Sequence, residues 1–246
     1  MKNTLSRPLF TAPRLALAAL AAVCLSAASA WAASAQVLIT TPVGSSAPAD
    51  YAKTVASWKK SGAVSNAILL QQFDGPESPG FSSMTVLEFA DDAAFESWKK
   101  SSASALAKNM VVSRVDVLTH DEVKGRDSSK AIFVLGQYEP LISPAEYKTY
   151  TDDYIVPNMS NQKFSGIMTR YTMYLEREAS GSNSKPRSFL LTEYANDAEF
   201  ARKKEVKDAY KVALKATHPK WTKINDIKST LRVDIDETLF RPVALP

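Results

Sequence analysis

Few side chains in this sequence can move protons, bind metals or attack an electrophile, and their spacing narrows the options further. The 246 residues contain two histidines and one cysteine. His120 precedes an acidic, polar stretch with no triad or metal spacing around it, so it reads as an exposed connector. His218 stands between a long helical pattern and Pro219, the place of a histidine favoured by the field of a helix C-terminus, with a general base as the alternative. The two do not sit at zinc spacing, and no metal site is expected. Glu88 and Glu193 recur in matching contexts, as do Arg114 and Arg232. If the third and fourth strands of each half flank the first, these acids and bases lie roughly 10 Å apart and can meet across the intervening strand as a structural ion pair. A buried member of the pair would instead be a candidate general acid or base. No catalytic constellation emerges, and the catalytic residues stay unassigned.

The tyrosines are unevenly spread. Tyr51 lies alone in the first half, against Tyr138, Tyr147, Tyr150, Tyr154, Tyr171, Tyr174, Tyr194 and Tyr210 in the second. A ring with a hydrogen-bonding tip suits an aromatic ligand, a core or an interface. The second half is therefore where a pocket is expected, and Arg170, Thr172 and Tyr174, alternating along one strand, are the candidate ligand contacts.

The elements that must position these groups come twice. Pro48-Ala49-Asp50-Tyr51 recurs as Pro144-Ala145-Glu146-Tyr147, and Arg114-Val115-Asp116-Val117 as Arg232-Val233-Asp234-Ile235. Between them, Glu88-Phe89-Ala90-Asp91-Asp92-Ala93-Ala94-Phe95 recurs as Glu193-Tyr194-Ala195-Asn196-Asp197-Ala198-Glu199-Phe200. Three matches in one order indicate a duplication whose second copy has longer connections. Each half reads strand, helix, strand, strand, helix, strand. In the first half the strands are 37–41, 67–73, 84–89 and 110–118, with a Gly/Pro-rich turn at 75–80. In the second they are 132–137, 165–174, 188–194 and 230–236. Asp91, Ser143 and Asn196 are the expected helix caps. Such a unit is ferredoxin-like, an antiparallel sheet with helices on one face, and the other face needs cover. The fold class is therefore α+β, two ferredoxin-like repeats forming an intramolecular α/β-barrel. The expected organisation is a signal peptide over 1–35, a first repeat over 36–120, a linker over 121–129 and a second repeat over 130–246.

The leader follows from its order. Lys2, Arg7 and Arg14 precede an apolar run from Leu15 to Leu25, and small residues follow at Ala28-Ser29-Ala30 and Ala33-Ser34-Ala35. That is an export signal, too short in its apolar core for a permanent membrane span. Its removal leaves 27 basic against 26 acidic residues and takes away Cys24, the single thiol. The mature chain is then expected to be periplasmic or extracellular, nearly neutral and thiol-free. Near-neutrality argues against nucleic acid, which demands a basic patch. The run Lys203, Lys204, Lys207, Lys211, Lys215 is interspersed with Glu205 and Asp208 and reads as a solvated helix face. Asn158-Met159-Ser160 matches a glycosylation sequon. No obligate partner can be inferred.

The repeated order and the two acidic-aromatic motifs at 88–95 and 193–200 resemble the dimeric α/β-barrel superfamily in a tandem, single-chain form, over almost the whole mature chain. The resemblance implies the fold. Its members include cofactor-independent monooxygenases of aromatic compounds, haem-dependent enzymes, small isomerases or lyases, and proteins of no known chemistry, so it does not select a reaction. Haem-binding members use an axial histidine, which makes His218 the candidate ligand if haem is bound; otherwise no cofactor is expected. The readings are an exported small-molecule-binding protein, either a binder alone or an enzyme acting on an aromatic or other compact organic compound, a non-catalytic interaction or scaffold protein, and a haem-binding enzyme.

Overall fold

The computed structural model describes residues 34–74, 80–181 and 183–246. The expected leader lies outside them except for Ser34 and Ala35, and so does most of the turn at 75–80. The first half comprises β1 (Ala35–Pro42), α1 (Tyr51–Lys60), β2 (Asn66–Asp74), β3 (Phe81–Phe89), α2 (Asp92–Ser102) and β4 (Val111–Glu122). The second begins with β5 (Ile132–Pro140) and α3 (Pro144–Tyr150). A widened π turn over Thr151–Ile155 leads into α4 (Val156–Phe164). It continues with β6 (Met168–Glu176), β7 (Ser188–Tyr194), α5 (Asp197–Ala201), α6 (Lys203–Thr217), α7 (Pro219–Ile227) and β8 (Arg232–Pro242).

The strands close into a barrel in the order β1-β3-β2-β8-β5-β7-β6-β4. Each half keeps the ferredoxin-like order, and the halves join edge to edge twice, β2 to β8 and β4 to β6, in antiparallel pairs. Closure gives both sheets the cover they lacked and leaves no strand edge to template aggregation. Alternation along β1 shows how the sequence divides its faces. Leu38 joins Leu70, Met84, Phe133, Leu135 and Phe240 inside the barrel, whereas Val37 and Ile39 pack outward against Trp58 and Trp98 under the helices. The expected caps form: Ala94 N donates to Asp91, Glu199 N to Asn196, and Ser143 makes a reciprocal capping box with Glu146. The duplicated Tyr51 and Tyr147 each tie a first helix to the third strand through a hydroxyl pair, to Thr85 at 3.0 Å and to Ser188 at 2.6 Å.

Two expectations are corrected by the register. Glu88 lies opposite Gln36, facing the barrel interior, while Arg114 lies opposite Val37, facing the helices. The acid and the base are thus on opposite faces, and Arg114 pairs instead with Asp92 at 2.6 Å and covers the Phe95 ring. The same division separates inward Glu193 from outward Arg232. Arg114 and Arg232 are also not equivalent positions. Val37 and Val134 correspond through their partners on β3 and β7, yet Val37 faces Arg114 and Val134 faces Leu239. The third sequence match is out of structural register; the other two carry the duplication.

β4 runs past its expected end at Leu118 and reaches Glu122. A bulge at Leu118 restores inward facing to His120, whose Nδ1 lies 2.8 Å from Thr172 Oγ1. His120 is therefore a strand residue at a barrel mouth and not a connector. The polar segment that follows folds back over this mouth. Glu193 accepts from Arg126 Nε at 3.0 and 3.1 Å and from Ser128 Oγ at 2.7 Å, and Arg170 Nε lies 3.2 Å away.

Candidate functional site

The candidate contacts Arg170, Thr172 and Tyr174 all project from β6 into the barrel. Thr172 is used by His120 and Tyr174 is buried among Phe133, Leu191 and Phe189; Arg170 is ion-paired with Glu193 at 3.2 Å, although its Nε and Nη2 have no hydrogen-bond partner among the described residues. Among the described residues, Glu176 of β6 lines an opening together with Thr40, Phe81 and Phe189. A second cleft, in the second half, lies on the other side of the sheet, between β5, β8, α4 and α6.

This cleft measures about 320 Å³ and is lined by Gly136 and Tyr138 from β5, Tyr154 from the π turn, Asn158 and Met159 from α4, Lys207 and Lys211 from α6, and Arg232 from β8. That is the lower end of the range of roughly 300–1,000 Å³ in which proteins hold small molecules. Three local departures from regular structure build it. First, Pro157 has no N–H to donate, and its ring would strike the Asp153 carbonyl in a regular helix. The chain widens just before it, where Val156 N–H reaches back to Thr151 O. The Tyr154 carbonyl accepts from Trp221 Nε1 at 3.1 Å, and Tyr147, Tyr150, Tyr154 and Trp221 stack in sequence at centroid distances of 5.2–5.4 Å. Second, a bulge in β8 at Ile235 sets Gln137 opposite Asp236 but Tyr138 opposite Asp234. Uninterrupted alternation would aim Asp234 and Arg232 into the barrel; the extra residue turns both toward the helices. Third, Gly136 leaves room for the Tyr138 ring to fold back over β5, since a Cβ there would stand 2.4 Å from the Tyr138 hydroxyl.

Arg232 is the central group. Its guanidinium lies 3.6 Å from the Tyr138 ring centroid and 5.7 Å from that of Tyr150. It is 91% buried by side chain, yet among the described residues its Nε and Nη1 have no hydrogen-bond partner, and neither does the buried Tyr150 hydroxyl. Asp234 Oδ1 is 3.0 Å from Nε but off the line of the N–H, so it contributes charge without satisfying the donor. Burial works against the guanidinium charge, but Tyr138, Tyr150, Tyr147 and Asp234 together hold its pKa above the ordinary arginine value. Burial also pushes the Tyr138 phenol up to about 12 and raises those of Tyr150 and Tyr154, so these tyrosines present neutral hydroxyls. Lys207 is held below the usual lysine range by burial first, then by Lys211 and Lys203.

His218 caps the junction of α6 and α7, exposed, with Nδ1 2.7 Å from Thr217 Oγ1. Neither histidine lines the cleft, so the residues there offer haem no axial histidine. Among the described residues no cluster of three or more His, Cys, Asp or Glu side chains is arranged to hold a metal ion, and no helix is long and apolar enough to cross a membrane. Asn158 of the sequon is buried and accepts from Gln162, which leaves it no access to a glycosylating enzyme in the folded chain. Arg232, Tyr138 and Lys207 escaped the reading of the sequence as cleft residues. A helical stripe at 147, 150 and 154 and a column of lysines at 203, 207 and 211 were the available signals.

No family model and no curated protein matches the chain. Among solved structures, a candidate monooxygenase from Fusobacterium nucleatum matches over 87% of this chain and 94% of its own, with a TM-score of 0.54 and 13% identity. An anthrone oxidase-like protein matches over 86% and 92%, with a TM-score of 0.50 and 7% identity. A haem-bound Rhodococcus jostii DypB variant, at a TM-score of 0.46 and 10% identity over 84% and 92%, is too remote to support an argument. What this chain shares with the first two is its fold, paired ferredoxin-like units closed into a barrel.

Proposed function

We propose that this chain is an exported protein that binds a compact, anionic organic molecule, aromatic or otherwise planar, in the cleft of its second half. The observation that carries the reading is Arg232, buried, laid on an aromatic ring and left with unpartnered donors beside an equally unpartnered Tyr150 hydroxyl. Buried donors normally find acceptors, and a carboxylate oxygen accepts a charge-assisted hydrogen bond from a guanidinium N–H. Tyr138, Tyr154 and Met159 supply the apolar walls against which a planar body can lie. The leader's order of basic, apolar and small residues supports export. The descriptions of the two structural neighbours, a candidate monooxygenase and an anthrone oxidase-like protein, are compatible with an organic ligand but bring no reaction with them.

The test is calorimetry with phenylacetate and its uncharged counterpart 2-phenylethanol. Wild-type protein is expected to bind the acid at least about tenfold more tightly, the minimum effect of one charge-assisted hydrogen bond. Arg232→Gln should abolish the difference while circular dichroism stays unchanged. Equal affinity of wild type for both compounds, or no binding of either, rejects the reading.

A further inference from the structure

We propose that Lys207 is an amine nucleophile that condenses with the carbonyl of a 2-oxo acid, and that Arg232 holds the acid's carboxylate. The inference rests on the cleft reading above and adds a substrate class and a covalent step to it.

The geometry sets the two groups on opposite walls: Arg232 rises from β8 on the sheet side, and Lys207 comes from α6 on the helix side. Lys203, Lys207 and Lys211 are four residues apart and form one column along α6, so Lys207 has a like charge a turn away on each side. The flanking lysines are paired, Lys203 with Glu237 at 2.6 Å and Lys211 with Asp208 at 3.9 Å. Lys207 makes no hydrogen bond or ion pair among the described residues. The carboxylates that line the cleft are already engaged. Glu237 is held by Lys203, Asp236 accepts from Thr238 at 2.8 Å and Gln137 at 3.3 Å, and Asp234 sits on Arg232. Lys228, on the turn after α7, adds a further cation to the lining. A solvated face would leave all these lysines free to turn to water; Lys207 is instead half-buried in the cleft. Burial, and after it the charges of Lys211 and Lys203, favour its neutral amine. Desolvation next to other cations is how amines become nucleophilic near neutral pH.

The step balances without an oxidant. The neutral amine's lone pair adds to the carbonyl carbon, and the C=O π pair moves to oxygen. That oxygen leaves as water with the two protons that began on nitrogen, and the product is a C=N bond. The carboxylate on Arg232 fixes the adjacent carbonyl toward the helix wall.

The experiment exposes the purified chain to phenylpyruvate with sodium cyanoborohydride near pH 7.5 and reads intact mass and peptide maps. One reduced adduct is expected, on Lys207, formed several times faster than on exposed Lys204. It should disappear in Lys207→Arg, which is expected to keep its circular dichroism, and slow markedly in Arg232→Gln. Phenylacetate, which has no ketone, should protect Lys207. An adduct spread evenly over the lysines, or none on Lys207 in a protein that binds phenylacetate, overturns the nucleophile while the cleft reading stands. Lys207 labelled equally fast in Arg232→Gln overturns the 2-oxo acid assignment. Failure of wild type to bind phenylacetate removes the cleft reading and this inference with it.

Discussion

Glu193→Gln should be among the most damaging conservative substitutions in the chain. The Glu193 side chain is fully buried at one barrel mouth. Its carboxylate receives Arg126, Ser128 and the nearby Arg170, whose own side chain is 94% buried against the Phe133 ring. The amide keeps the shape and some of the acceptors but removes the charge. Arg126 retains Glu122 at 2.5 Å; Arg170 retains no anion within ion-pair distance among the described residues. Breaking a buried pair so that one charge stays uncompensated costs about 3–5 kcal/mol. At about 2–4 °C per kcal/mol for a domain of this size, the midpoint of thermal unfolding should fall by roughly 6–20 °C. Glu88→Gln is the internal control, because among the described residues the side chain of the matching glutamate of the first repeat has one hydrogen bond, a 3.5 Å contact with Gln36, and its loss should cost less than about 1 kcal/mol. Removing both charges, by Glu193→Leu with Arg170→Met, should recover most of the loss, since apolar replacement of a whole buried pair is often neutral or better. Urea unfolding followed by the fluorescence of buried Trp58, Trp98 and Trp221 gives all four numbers on one scale. Glu193→Gln within about 1 kcal/mol of wild type, or no worse than Glu88→Gln, would refute the claim that this network closes the barrel.

Gly136→Ala should push the Tyr138 ring off Arg232 and cost about 1–3 kcal/mol by overpacking, with loss of phenylacetate affinity beyond that of an exposed Ser97→Ala control; calorimetry and denaturation separate the two effects. His120 is held below the ordinary histidine value of 6.5, by burial first and with Arg170 adding to it against the pull of Glu122. The folded state therefore binds this proton less readily than the unfolded chain, so its stability contribution is complete above about pH 6.5 and declines as pH falls below it. His120→Asn should flatten that part of the pH–stability curve in paired urea titrations. Eight of the nine tyrosines have phenols raised by burial, so a 295 nm titration of native protein should show little phenolate until the pH approaches that of alkaline unfolding; a large rise near pH 10 would contradict the packing.

The fold was legible because its signals are local and repeat. Alternation at Val37, Leu38 and Ile39, the caps Asp91, Ser143 and Asn196, and two motifs that recur in order define the strands, the helix starts and the duplication, and two half-covered sheets in one chain require mutual closure. The ends of strands were less legible. β4 passes Leu118 because pairing with β6, a contact between the repeats, continues to Glu122, and no pattern within either repeat announces that partner.

The site was hidden for a related reason. Reading faces from a strand assumes that every second residue points the same way, and one inserted residue reverses the assignment beyond it. Bulges occur at Leu118, at Thr169 and at Ile235, next to His120, Arg170 and Arg232 respectively. His120 and Arg232 are thus residues whose direction strict alternation mispredicts, whereas Arg170, Thr172 and Tyr174 alternate inward as their spacing implies. Without the extra residue at Ile235, Arg232 would point into the barrel; with it, the guanidinium stands on Tyr138 in the lining of a cleft whose opposite wall carries Lys207. The same one-residue device therefore turns Arg232 and Asp234 from the barrel interior to the lining of the cleft.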